Sequence, residues 1–305
     1  MKDDSLYTIA APVEVSRVEV SRFTDYVALT KPRLVSLVLL TTAIGFVVGS
    51  GPTVSFMGLL HVLIGTALVA GGGAALNQFL ERDADARMRR TADRPLPSAR
   101  LEARQGLIFG IFLTLAGLAY LYMFSTISAF VVGAITATMY VMVYTPLKKI
   151  TPWCVAAGAV VGALPPVMGW TAASGMIAPG ALALFVIMFV WQLPHFLAIA
   201  WIYRDEYANA RMSVVKLTDV PGTRTTRHIL ILNLFLVPLT LLPSIVGIAG
   251  IGYTITAVIL GAAFIATALR RSSADMGSYA RRVFYASLIY LPVLFIFMAV
   301  FRKSS

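Results

Sequence analysis

Asn77, Glu81 and Asp85 stand four positions apart at the start of the stretch that runs to Ser98. On an α-helix, positions i, i+4 and i+8 stack on one face. An apolar segment ends there, and Arg87, Arg89, Arg90 and Arg94 follow. Two carboxylates and an amide at a membrane edge, beside guanidinium groups, suit a metal-chelated diphosphate. Hard oxygen donors hold Mg²⁺, the metal holds phosphate oxygens, and arginine offsets the remaining charge. Asp83 points away from its neighbours, at about 100° per residue. Its expected role is an ion pair with Arg87 at i+4. The competing account is a solvated juxtamembrane loop, but such loops seldom carry Asn, Glu and Asp in register on the end of a span.

A second polar edge begins at Tyr203. Tyr203, Tyr207 and Arg211 repeat the four-residue spacing, Asp205 and Glu206 supply carboxylates, and Asp205 shares a face with Asn209. Charged residues commonly follow a span, so this edge carries less information alone. Its position, parallel to the first, suggests a second metal-binding edge. Tyr144 and Lys148 form a third group. Pro146 is expected to break the helix there and turn both side chains into a mouth. Tyrosine can hydrogen-bond a phosphate oxygen and lysine can offset its charge, although an aromatic-belt tyrosine and a topology lysine explain the pair equally well. His195 lies inside an apolar segment, roughly two turns from its end, with Gln192 one turn before it. Ionisable groups within a membrane are expensive and often functional. The structural alternative is a neutral histidine hydrogen-bonded between helices, and Gln192 is weighed in the same way. His61 and His228 sit near segment ends and read as structural.

The elements that must position these residues are membrane spans. The chain has 305 residues, 58% hydrophobic and 13% charged, outside ordinary globular usage. Nine apolar runs are long enough to cross a bilayer: 34–49, 54–76, 106–124, 127–144, 153–173, 180–201, 229–247, 250–269 and 283–301. Every second loop lacks charged residues, and of the Lys and Arg residues only Arg302 and Lys303 fall on that side. The positive-inside rule then puts the N-terminus in the cytoplasm and the C-terminus across the membrane. The net charge of +11 follows this topology and does not point to nucleic acid. The expected architecture is all-α, with a tail over 1–30 and a membrane domain over 31–305. The tail has no apolar h-region of a cleavable signal and is expected to meet the membrane surface near Phe23 and Tyr26. The single cysteine, Cys154, permits no intrachain disulfide and reads as a small buried apolar residue.

These motifs resemble the UbiA superfamily of intramembrane prenyltransferases. Asn77, Glu81 and Asp85 match its first acidic motif, Tyr144 and Lys148 its tyrosine–lysine motif, and Asp205 with Glu206 its second acidic motif. Four stretches look most like the branch that farnesylates heme: Glu81 to Thr91, Tyr144 to Pro152, Pro165 to Trp170, and Trp191 to Phe196. Thr30 to Arg33, with Lys31, and Arg94 to Pro97 are shared more widely. The resemblance runs from about Tyr26 to Phe301. Glu206-Tyr207 departs from the Asp-Tyr usual in that branch, as does the sequence from Ala210, which makes the second acidic site the less secure of the two.

The resemblance implies nine helices around a central cavity closed by two long cytoplasmic loops, in the plasma (inner) membrane if the source is a bacterium. It implies that farnesyl diphosphate, heme B and water give heme O and diphosphate, with Mg²⁺ as cofactor and heme as substrate. Asn77, Glu81 and Asp85 would then coordinate Mg²⁺, with Asp205 or Glu206 opposite. Lys31, Arg33, Arg87, Arg90, Arg94 and Lys148 would face the diphosphate, together with Tyr144, Tyr203 and Tyr207. His195 would meet the heme iron or a propionate. The resemblance admits an oxidase-assembly or heme A synthase partner. The nearest rival is an aromatic prenyltransferase acting on a quinone precursor, which the Trp191 to Phe196 motif disfavours. A transporter using Glu81, Asp85 and His195 as a proton relay is disfavoured because the carboxylates lie at one membrane face. A reporter fused after Ser305 is expected to read as periplasmic and one inserted at 87–104 as cytoplasmic; reversed signals would reject this topology.

Overall fold

The computed structural model describes residues 22–213, 222–270 and 276–303. Most of the expected N-terminal tail lies outside the described residues. Its last part is a docked helix, α1 (Arg22–Leu29). Gln78 Nε2 donates to the carbonyls of Ala28 and Leu29, Tyr26 packs on Phe109, and Asp25 pairs with Arg100 at 2.9 Å. Phe23 stays exposed.

Nine helical segments among the described residues are long and apolar enough to cross a membrane. They contain α2 (Pro32–Gly49), α3 (Phe56–Asp85), α4 (Ala103–Phe124), α5 (Ile127–Thr138) with its extension, α7 (Cys154–Ser174), α8 (Pro179–Ile202), α10 (Thr223–Leu239), α12 (Ile251–Leu269) and α13 (Met276–Val300). The extension of α5 is a π-helical turn, Met139–Tyr144, followed by α6 (Thr145–Ile150). Two short helices, α9 (Arg204–Asn209) and α11 (Leu242–Ile245), sit in connections. Local sequence starts several spans. Ser55 Oγ caps α3 by accepting from Gly58 N–H, Thr126 caps α5 through Ala129 N–H, and Glu102 and Gln105 form a capping box on α4.

The nine expected runs each fall on one of these segments, with several ends displaced. α3 continues to Asp85, nine residues past the end of its apolar run at residue 76. α10 and α13 start about two turns earlier than their apolar runs, because their polar first turns are still helical. Pro146 does not break its helix. The widened turn before it takes up the missing donor, with Thr145 N–H bonded to the Tyr140 carbonyl five residues back.

Small residues let the helices close around one another. A Cβ on Gly169 would run into the Thr42 carbonyl, and one on Gly45 into the Pro166 carbonyl, so α2 and α7 touch backbone to backbone. α13 contacts both α8 and α2, joining the last span to the first. At the end away from the charged loops, Phe301 accepts from Gly250 N–H at 2.7 Å, and Arg302 donates to the Val47 carbonyl. Gly169→Val should therefore cost about 1–3 kcal/mol by overpacking. Thermal unfolding in detergent should show the loss, while Gly51→Ala, with nothing near its Cβ position, should unfold like the parent.

Candidate active site

The last two turns of α3 bury Asn77, Glu81 and Asp85, each no more than 3% exposed. A separate element supplies a cation to each. Lys31 Nζ donates to Asn77 Oδ1 at 2.6 Å, Lys148 Nζ lies 2.8 Å from Glu81 Oε1, and Arg94 Nη1 lies 2.7 Å from Asp85 Oδ2. Asn77 also donates to Thr145 Oγ1, and Thr91 Oγ1 donates to the Asp85 carbonyl. Lys31 adopts left-handed backbone (φ 51°), a conformation costing a non-glycine residue about 1–2 kcal/mol. Burial, with Arg94 and Lys148 nearby, lowers the pKa of Lys31 to about 7.

The π-turn shapes the neighbouring wall. Tyr140 and Tyr144 stack with ring centroids 5.7 Å apart, and Lys148 Nζ sits 4.5 Å over the Tyr144 ring. Tyr140 and Thr145 were missed by sequence reading; the i, i+4 spacing of Tyr140 and Tyr144 was the available signal. The two charged loops meet as a roof. Ala84, Met88, Ala210 and Met212 form an apolar cluster against Tyr207, whose phenol burial pushes up in pKa. Ser213 N–H donates to the Lys148 carbonyl at 2.8 Å, tying the second loop to α6.

Other candidates sit apart from the buried ladder. Asp205 is exposed and lies 3.6 Å from Arg204, while Glu206 accepts from the Arg90 backbone N–H at 3.3 Å. Arg90 stacks on Tyr203. Arg33 and Arg87 are exposed. Arg87 Nε bonds the Asp83 carbonyl, and the Asp83 carboxylate lies 3.6 Å from Arg82, so the expected Asp83–Arg87 ion pair gives way to a backbone contact. His195 is buried within the bundle and hydrogen-bonded to Ser287 Oγ at 2.7 Å.

Residues 38–301 match the model of the UbiA prenyltransferase family. The chain belongs to this family. Two relatives, each called protoheme IX farnesyltransferase, are similar over nearly the whole length. That of Koribacter versatilis is 40% identical, covering 97% of this chain and 99% of the relative; that of Solibacter usitatus is 39% identical, covering 91% and 98%. Solved structures share the fold. A structure of digeranylgeranylglyceryl phosphate synthase superposes with a TM-score of 0.76 at 18% identity, over 92% of this chain and 98% of that one. A UbiA homologue from Archaeoglobus fulgidus, bound to GPP and Mg²⁺, gives 0.68 at 16%, over 90% and 99%. The chain is thus an integral membrane prenyltransferase.

The Archaeoglobus fulgidus homologue is bound to Mg²⁺, and the chemistry of the ladder fits a hard ion of that kind. Its donors are oxygens, and Glu81 Oε1 is sealed from solvent without a well-angled hydrogen bond despite the nearby lysine. Among the described residues no three His, Cys, Asp or Glu side chains gather as a metal site. Two carboxylates and an amide, one oxygen each, would leave half of an octahedral shell to substrate and water. Beneath the ladder lies a cavity of about 220 Å³ lined by Ala70, Gly73, Tyr140 and Tyr144, and beside it one of about 180 Å³ lined by Trp191, His195 and Phe295. Glu81→Gln and Asp85→Asn should each lower turnover at least about 100-fold. Asp83→Ala should stay near the parent rate; the reverse ranking in a diphosphate-release assay would reject the ladder as the reactive edge.

Proposed function

We propose that this prenyltransferase moves a farnesyl group from farnesyl diphosphate to a vinyl group of heme B, with addition of water, giving heme O and diphosphate. Full-length relatives near 40% identity, called protoheme IX farnesyltransferase, carry the choice of substrates. The buried ladder over an apolar cavity supports the chemistry. The charged loops, and with them the reactive edge, face the cytoplasm in this reading, as the positive-inside rule requires.

Asn77, Glu81 and Asp85 would hold Mg²⁺, which when bound offsets the charge developing on the departing diphosphate. Lys31, Lys148 and Arg94 stand within reach of the same oxygens through their present partners and add positive charge there. The prenyl chain occupies the cavity along Ala70, Gly73 and Tyr140. The tyrosine rings offer their faces to the allylic cation. The roof of Met88, Tyr207 and Met212 keeps bulk water from it. The neighbouring cavity receives the vinyl-bearing edge of the porphyrin. Glu206, which accepts from the Arg90 backbone, ties the two loops of the roof, and Asp205 stands exposed beside Arg204.

Purified protein given heme B, farnesyl diphosphate and Mg²⁺ should form a pigment with the mass of heme O. Chelation of the metal should stop diphosphate release. Prenylation of a quinone precursor in place of heme, under the same conditions, would overturn the assignment.

A further inference from the structure

Two hydrogen bonds fix the state of the buried histidine. Ser287 Oγ donates its only proton to the Phe284 carbonyl at 2.6 Å. It can therefore only accept from His195, 2.7 Å away, which puts the ring proton on Nδ1. Nε2 then carries a lone pair. Trp191 and Phe284 stack on the ring, with centroids at 5.1 Å each, so the remaining edge is the open one. Nε2 has no hydrogen-bond partner among the described residues, and the ring lines the smaller cavity. A basic nitrogen thus borders a space otherwise walled mostly by hydrocarbon.

A second polar group is fixed in the same wall. Gln192 Nε2 donates to the carbonyls of Ala159 at 3.2 Å and Met188 at 3.0 Å. Both amide protons are used, and the oxygen is left as an acceptor with no donor among the described residues. Oε1 lies where a side chain on Gly162 would go. Gly162 and Gln192 line both cavities, so this oxygen sits on the seam between them. Gln192 and His195 are one helical turn apart on α8 and face the same space.

We propose that Gln192 and His195 capture water at this seam: Gln192 Oε1 positions the molecule and His195 Nε2 takes its proton. The inference rests on the reaction proposed above. As the farnesyl C1–O bond breaks, its electron pair leaves with diphosphate, and the outer vinyl carbon bonds to C1. The inner vinyl carbon is left cationic. The water oxygen bonds to that carbon, and one water proton passes to Nε2, which releases it to solvent when the product leaves. Without held water the same cation loses a proton from the newly bonded CH₂ and closes to an alkene. Water capture and proton loss give products that differ by one water molecule.

The test is the ratio of these two products, by mass, from heme B and farnesyl diphosphate, whatever the total turnover. The parent should give the hydrated product. Gln192→Leu and His195→Phe should each raise the dehydrated fraction at least about tenfold, within the range of a lost acid–base group. Ser287→Ala, which frees the ring tautomer while keeping the imidazole, should give a smaller rise and serves where His195→Phe does not accumulate. A packing role alone would lower yield or thermal stability and leave the ratio unchanged. An unchanged ratio in these variants overturns the proposal, and an unchanged ratio with a shifted heme absorption band in His195→Phe assigns Nε2 to the iron instead. No prenylated heme from the parent would remove the underlying reaction, a different failure from an unchanged ratio.

Discussion

A carboxylate cannot be taken out of water without a partner, and both carboxylates at the end of α3 obey that rule. The polar groups of Asn77, Glu81 and Asp85 are buried on one helix face, and each is met by a cation from a different segment: Lys31 before α2, Lys148 in α6 and Arg94 in the first charged loop. Buried ion pairs contribute little net stability, because desolvation offsets much of the attraction, yet breaking one costs about 3–5 kcal/mol. The arrangement therefore fixes positions more than it stabilises the fold. Lys31 holds an unfavourable backbone conformation in this setting. The roof loops, the tie from Ser213 to Lys148 and the docked α1 all hold the segments that carry these cations.

The same face of α3 continues downward as a lining. Thr66, Ala70 and Gly73 are stacked below Asn77 at helical spacing, and all three border the larger cavity. Above Asn77 the stripe is charged; below it the stripe is small and apolar. One helix thereby sets the distance between the place where a diphosphate would be held and the space where a hydrocarbon chain would lie. Glycine at 73 leaves room for the Tyr140 ring. The second cavity begins where α8 brings Gln192 against Gly162, so two helices crossing at one glycine define the boundary between the two spaces.

The spans and the ladder were legible because both depend on local periodicity. Hydrophobic runs of bilayer length and a four-residue polar repeat leave marks in any stretch of sequence. Partnership across the bundle leaves none. Glu81 with Lys148, and Lys31 with Asn77, are joined only by tertiary packing, and Ser287 fixes His195 from 92 residues away. Asp83 points outward, as its helix phase requires, but its carboxylate lies by Arg82 and its carbonyl takes Arg87, a choice of partner that spacing alone does not mark. Pro146 misled for a different reason: proline forbids the ordinary hydrogen bond, and the chain adopted a wider turn instead of a break.

That wider turn makes the fourth span a counted object. A π-turn holds one more residue than the α-turn it replaces, so everything after Tyr144 is offset by one position from everything before Met139. Lys148 meets Glu81 with that extra residue taken up by the wide turn. Straightening the turn with every residue kept would swing the lysine about 100° around the axis, whereas removing one residue from 139–144 would relax the backbone to an α-helix and leave the lysine on the same face. A chain with an unbroken α-helix here must carry its cation one position earlier to meet the same carboxylate. Two such chains correspond residue by residue only across a single-residue gap inside a membrane span, where hydropathy gives no reason to open one.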